Sequence, residues 1–169
     1  MRNRPTACYP GPDHSRRSLA TMTEPPDRDS LVAFFDRWTD LVRAVDFDTA
    51  RAMFDPDLVA FGTFADFITE RDAVIAGQWR QVWPTIADYR FRTEAMHCDV
   101  SPDRLMATVA VPWSSTGFRE DGRPFERNGR ATVTLRRDGL AGPWRGVHTH
   151  LSLNRGTPDR SFGRPTALA

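Results

Sequence analysis

The chain has 169 residues, of which 40% are apolar and 11% aromatic, so it is long enough to form one domain with a substantial core. Its formal net charge is +1, and from Met22 onward 19 arginines face 21 acidic residues, a balance that argues against a nucleic acid as the main partner. All 23 basic residues are arginines, which excludes chemistry that needs a lysine amine, such as a Schiff base, a pyridoxal phosphate anchor or a P-loop.

The termini and the cysteines indicate where the protein works. Cys8 and Cys98 are the only cysteines, which predicts no disulfide framework and fits a reducing cytoplasm. No apolar run approaches the roughly 18–20 residues that cross a bilayer, and the N-terminus lacks the roughly 7–15-residue apolar stretch of a signal peptide. We therefore expect a cytoplasmic protein without membrane contact. Residues 1–28 are predicted to be a disordered leader with Met22 as a candidate start, 29–155 the folded domain, and 156–169 a loose tail.

Helical patterns dominate the first half of that domain. Apolar residues recur every three or four positions from Leu31 to Val45, which predicts one buried helical face. In chain order the predicted elements are a helix over 31–45 capped by Asp29 or Ser30, a short helix that Asp48 begins and Asp55-Pro56 ends, a strand over 58–63, and a helix from Thr69 to Pro84.

After Pro84 the apolar period changes from 3.6 to 2. Four strands are predicted, over 89–100, 104–116, 125–137 and 144–153, and turn residues separate them. Helices followed by an antiparallel meander are typical of an α+β domain whose helices pack on one face of a sheet.

The last predicted strand carries the residues that most suggest chemistry. Strict alternation places His148 and His150 side by side on one face, about 7 Å apart at Cα. The other members of that face are Trp144, Gly146 and Ser152. The neighbouring strand would add Arg130, Thr132, Thr134 and Arg136, with Arg130 near one of the histidines. This polar face either lines a pocket or faces solvent.

Three roles are open for the two histidines. They are structural or pocket-lining residues, a general acid or base, or metal ligands with a third ligand from His97, Asp66 or Glu94. Nothing in the sequence fixes a metal geometry, so we predict no metal and no cofactor. Asp66 lies in an apolar run, where it is either a pocket carboxylate or a solvated loop residue.

Two segments resemble a known family. The runs 129–139 (GRATVTLRRDG) and 144–152 (WRGVHTHLS) look like the closing hairpin of SnoaL-like, nuclear transport factor 2-like proteins, and the hairpin is similar to that of the calmodulin-dependent protein kinase II association domain. The resemblance covers about residues 30–153. It implies a cone in which three N-terminal helices close a strongly bent antiparallel sheet around an elongated apolar cavity, and a homodimer formed through the outer sheet face.

The same resemblance frames the function. Steroid isomerases of this fold place a tyrosine in the pocket, where this chain offers Tyr9 or Tyr89, and the kinase domain has an arginine where Thr132 stands here. The first hypothesis is a cofactor-independent isomerase, cyclase or dehydratase acting on a small organic molecule, and the alternative is a non-catalytic ligand-binding or oligomerisation module. The candidate catalytic residues are His148, His150 and Asp66. The candidate substrate-binding residues are Arg130, Thr132, Trp38, Trp79, Trp113 and Tyr89, although the tryptophans also suit a core.

Overall fold

A computed structural model describes residues 25–164, with side chains from Asp27 onward. The predicted leader up to residue 24 and the tail beyond residue 164 lie outside the described residues. The elements are α1 (Pro25–Ala44), α2 (Phe47–Arg51), β1 (Phe54–Phe61), β2 (Ile68–Thr69), α3 (Arg71–Val74), α4 (Arg80–Val82), β3 (Ala87–Phe91), β4 (His97–Val100), β5 (Met106–Phe118), β6 (Pro124–Glu126), β7 (Gly129–Arg136) and β8 (Arg145–Leu153).

Helix α1 confirms the predicted apolar face. Leu31, Phe35, Trp38 and Val42 are all buried along it. The helix begins at Pro25, however, four residues before the predicted domain boundary, and Asp29 and Ser30 lie inside it rather than at its cap. Proline is tolerated in a first helical turn because the N–H that it lacks would have no partner there.

The junction between α1 and β1 differs from the prediction. Asp46 caps α2, since its Oδ1 accepts a hydrogen bond from the Thr49 backbone N–H at 3.0 Å, and Asp48 lies inside the helix. The helix ends at Arg51, and the Asp55-Pro56 pair belongs to β1. The extended conformation that proline imposes on the preceding residue suits a strand as well as a helix end.

The third helical segment is continuous but irregular. Helix α3 passes into a π-helical turn over Ile75–Trp79, then into α4 and a 3₁₀ turn over Trp83–Thr85 that contains Pro84. π-helical turns are rare and occur frequently at functional sites. Among the described residues, no helix is long and apolar enough to cross a bilayer.

The sheet is mixed rather than wholly antiparallel. Its order is β2-β1-β8-β7-β5-β3, and β5 pairs along its length with β3, β4 and β6. The meander β5-β7-β8 is antiparallel as predicted, but β1 joins β8 in parallel. The sequence pattern of β1 does not indicate which strand it pairs with, so the parallel pairing of β1 with β8 could not be predicted.

The predicted strand over 89–100 is two strands. A 3₁₀ turn over Thr93–Ala95 separates β3 from β4. The break lies opposite Pro112 of β5, between the pairs Phe91–Trp113 and His97–Ala110. Because proline has no N–H to donate to a ladder, the pairing is interrupted at that point.

A buried ion cluster fixes the start of α1 to the far end of the sheet. The Asp27 carboxylate accepts hydrogen bonds from Arg104 Nε and Arg137 Nη2, each at 2.7 Å. Arg137 also lies over the Trp144 ring at 4.2 Å, and Trp144 Nε1 donates to Ser30 Oγ at 2.9 Å. The hydrogen bond from Arg104, aided by Arg137, holds the pKa of Asp27 below its usual value despite burial.

Replacing Asp27 by asparagine should lower the free energy of unfolding at pH 7 by roughly 3 kcal/mol, because it leaves the buried Arg137 without its counter-charge. The Asp27 contribution is complete above the unfolded-state pKa of about 3.9 and is lost as the pH falls toward the lower folded-state pKa. Urea unfolding at pH 7 and below pH 4 measures both effects. Asp72→Asn, which removes an exposed pair with Arg51, is the control and should cost less than about 1 kcal/mol; equal costs would contradict this account.

Candidate ligand-binding cavity

A cavity lies between α1, the third helical segment and the concave face of the sheet. Its volume is about 30 Å³, which is room for about two waters. Pockets that hold drug-sized ligands measure roughly 300–1,000 Å³, so a larger ligand requires the walls to move. The lining residues are Trp38, Val42, Ala60, Phe61, Gly62, Thr63, Val74, Gln78, Trp79, Val82, Trp83, Ile86, Tyr89, Trp113, Arg127, Thr149 and Leu151.

Six of the seventeen lining residues are aromatic. Trp79 and Trp83 stack at 4.7 Å between ring centroids, and Tyr89 stacks on Trp113 at 5.6 Å. The indole N–H groups of Trp38 and Trp113 are buried and have no hydrogen-bond partner among residues 25–164. A buried N–H without an acceptor is costly, so these two groups distinguish this wall from an ordinary aromatic core.

Arg127 brings a positive charge into this aromatic wall. It lies between β6 and β7, where its backbone N–H and C=O both pair with Ser115, and the residue is only 2% exposed. Its Nη2 donates to Thr63 Oγ1 at 3.0 Å, and its guanidinium lies 5.6 Å from the Trp113 ring centroid. Nε has no partner, and no carboxylate in the described part of the chain pairs with this arginine.

Burial sets the protonation states of the two titratable groups in the cavity. It lowers the pKa of Arg127 to about 10, although nearby Tyr89 opposes the shift, so the guanidinium stays charged at neutral pH. Burial also raises the pKa of Tyr89 well above its usual value, which keeps the phenol neutral. No carboxylate and no imidazole is among the residues that line the cavity. The cavity therefore holds one fixed cation and no group that exchanges protons near pH 7.

The loop after β1 closes one side of the cavity through Gln78. The amide oxygen of Gln78 accepts hydrogen bonds from the Phe64 and Ala65 backbone N–H groups at 3.1 and 2.8 Å, and its Nε2 donates to Thr63 Oγ1 at 3.2 Å. A Cβ at Gly62 would lie 2.2 Å from the Gln78 oxygen, so only glycine leaves room for this contact. Thr63 Oγ1 thus accepts from both Gln78 and Arg127, which ties the loop to the buried charge.

The architecture around this cavity is shared with known proteins. A family model for the SnoaL-like domain matches residues 31–155, which is most of the chain. The chain belongs to the SnoaL-like family. No curated protein sequence matches it.

Solved structures similar to this SnoaL-like domain support the fold. A nuclear transport factor 2-like superfamily protein from Salmonella enterica is 17% identical with a TM-score of 0.64, covering 79% of this chain and 94% of that one. The CaMKII association domain of C. elegans is 15% identical with a TM-score of 0.58, covering 75% and 95%. A ketosteroid isomerase-like protein from Erwinia carotovora atroseptica is 16% identical with a TM-score of 0.55, covering 74% and 91%. At such identities these likenesses show the fold alone.

The structure of this SnoaL-like domain divides the predicted site residues into two groups. Trp38, Trp79, Trp113 and Tyr89 come together around the cavity. The remaining candidates lie elsewhere: His148, His150, Arg130 and Thr132 belong to the outer face of the sheet, and Asp66 lies exposed in the loop after β1.

A register shift in β8 explains where the histidines lie. Pairing steps from Thr134–His148 to Leu135–Gly146, so Val147 is an extra residue in the strand. The bulge reverses the side-chain phase. Gly146 therefore belongs with the buried Trp144 on the core side, whereas His148 and His150 face outward. Strict alternation, which placed all four on one face, is wrong at this point.

On the outer face the histidines have local contacts. His148 Nδ1 lies 3.0 Å from the Val59 carbonyl oxygen, and the His150 ring lies 5.3 Å from that of Phe61. His150 pairs across the sheet with Thr132. An open groove on this face is lined by His97, Arg130, Thr132, His150 and Ser152, among others. In residues 25–164 no three His, Cys, Asp or Glu side chains converge in a way that could hold a metal ion.

Sequence reasoning missed Arg127, Gln78 and Thr149. For Arg127 a signal was present. The apolar residues Ala131, Val133 and Leu135 occupy odd positions in the predicted strand over 125–137, and Arg127 has the same parity. An arginine in phase with the core side of a strand indicates a buried charge. Gln78 carried a signal as well, because it lies three residues after Ile75 and four before Val82, in phase with the apolar face of the predicted helix.

Proposed function

We propose that this protein binds a small, mostly apolar organic molecule inside the cone, and that it does so without acid or base catalysis by the cavity residues. The aromatic cavity with N–H groups that have no protein acceptor among residues 25–164 carries the proposal, because a ligand that supplies acceptors there would gain hydrogen bonds in a buried site. The catalytic roles predicted for His148, His150 and Asp66 would require a substrate outside this cavity.

Entry of the ligand would involve the loop after β1. Its attachment to the third helical segment runs through the three hydrogen bonds of Gln78, and its Phe64 and Phe67 side chains are exposed. Releasing Gln78 would free this loop from the third helical segment. This movement would enlarge a cavity that otherwise holds only about two waters.

Thermal unfolding of the full chain against a panel of neutral and carboxylate aromatic compounds tests the proposal. A compound at about 100 times its Kd should stabilise by about 2.7 kcal/mol and raise Tm by roughly 5–10 °C. Thr149→Leu narrows the cavity and should abolish the shift, because the added bulk occupies the ligand's space. Thr132→Leu makes the same change on the outer face and should preserve it. The reverse pattern, or no shift with any compound, would refute cavity binding.

We also propose that two copies pair through the outer sheet face. The likeness to the CaMKII association domain supports an oligomer, and the outer face exposes Met106 and Phe61 beside its polar residues. Light scattering after size exclusion at micromolar concentration should give twice the chain mass. Thr132→Arg, which adds a charge beside Arg130, should yield a monomer, whereas Ala76→Arg on the third helical segment should not. A monomeric wild type would contradict this arrangement.

A further inference from the structure

Three hydrogen-bond donors on residues that line the cavity lack an acceptor among residues 25–164. Arg127 Nε and the indole N–H groups of Trp38 and Trp113 are all buried without an acceptor. The side-chain amide of Gln78 is already committed to the loop after β1. A ligand that satisfies these three N–H groups must therefore contribute hydrogen-bond acceptors.

The charge adds a second requirement. Arg137, which is also deeply buried, is compensated by Asp27, but no carboxylate among residues 25–164 compensates Arg127. The Thr63 hydroxyl and the Trp113 ring offset only part of the cost of burying a guanidinium. A neutral acceptor would satisfy the N–H groups and leave the charge uncompensated, whereas an anion does both.

The surroundings of Arg127 define which anion fits. The lining has no carboxylate to pair with an ammonium group, which disfavours zwitterions such as amino acids. One guanidinium balances one negative charge, and a dianion would carry an uncompensated charge into an apolar wall. The stacked rings of Trp113 and Tyr89 beside Arg127 favour a flat body next to the anionic group.

We propose that the ligand of this cavity is a monoanion, a carboxylate or similarly compact oxyanion on a flat apolar body, whose oxygen accepts a hydrogen bond from Arg127 Nε beside the Trp113 indole. This inference rests on the proposed binding function and specifies its ligand class. It also explains why the chain keeps a buried cation that contributes nothing to a salt bridge.

Matched acid and amide pairs test the ligand class. Acetate, benzoate and phenylacetate are titrated at pH 7 into the full chain, against acetamide, benzamide and phenylacetamide, with tryptophan fluorescence as the readout. At least one acid should bind ten-fold or more tightly than its amide. If acid and amide bind equally, the monoanion proposal is overturned and cavity binding stands. If no compound of either kind binds, both fail.

Two arginine variants locate the anion. Arg127→Met keeps an unbranched stem but removes the guanidinium and its charge, so the preference for the acid should disappear. Arg155→Met makes the same change at an exposed position after β8 and should bind like wild type. Arg127→Met should also unfold at the wild-type temperature or higher, because an uncompensated buried charge has been removed. An acid preference that survives in Arg127→Met or is lost in Arg155→Met would overturn the assignment.

Discussion

A single positive charge inside an aromatic wall links the features of this molecule. The guanidinium of Arg127 contacts the Thr63 hydroxyl and lies over Trp113, and through Thr63 it is connected to Gln78. Gly129, two residues further along the chain, packs closely on the same ring, since a Cβ there would collide with Trp113. These contacts hold the charge in place but do not neutralise it. Folds keep such groups where function requires them, often at some cost in stability.

The opposite face of the same sheet has a different character. The bulge at Val147 directs His148 and His150 outward, and His150 lines a groove together with Arg130 and Thr132. One extra residue in β8 thus decides that the imidazoles leave the interior and that Thr149 and Leu151 enter it. The interior is left with a fixed cation and a neutral phenol, which suits recognition of a ligand better than transfer of protons.

Much of the fold was predictable from local pattern. The apolar face of α1, the meander and the α+β class follow from periodicity, and the hairpin motifs indicated the family. The parallel pairing of β1 with β8 and the split opposite Pro112 were not predictable, because each depends on which strand lies alongside. The positions of the site residues were less predictable than the fold. Strand alternation inverts after one inserted residue, so the histidines were assigned to the same side of the sheet as Trp144, which is wrong. The position of Arg127, in phase with the buried residues of its strand, indicated a buried charge that the sequence analysis did not use.

The nitrogen-15 shifts of the tryptophan indole N–H groups, recorded during a benzoate titration of the full chain, test the central claim most directly. Trp38 and Trp113 line the cavity and their indole N–H groups have no acceptor in the part of the chain that the structure describes, whereas Trp144 donates to Ser30 and serves as an internal reference. A ligand anion at Arg127 should move the Trp113 signal most, move Trp38 as the wall adjusts, and leave Trp144 unchanged. Shifts confined to backbone amides of Thr132 and His150, with Trp38 and Trp113 unmoved, would place the ligand on the outer face and contradict the account.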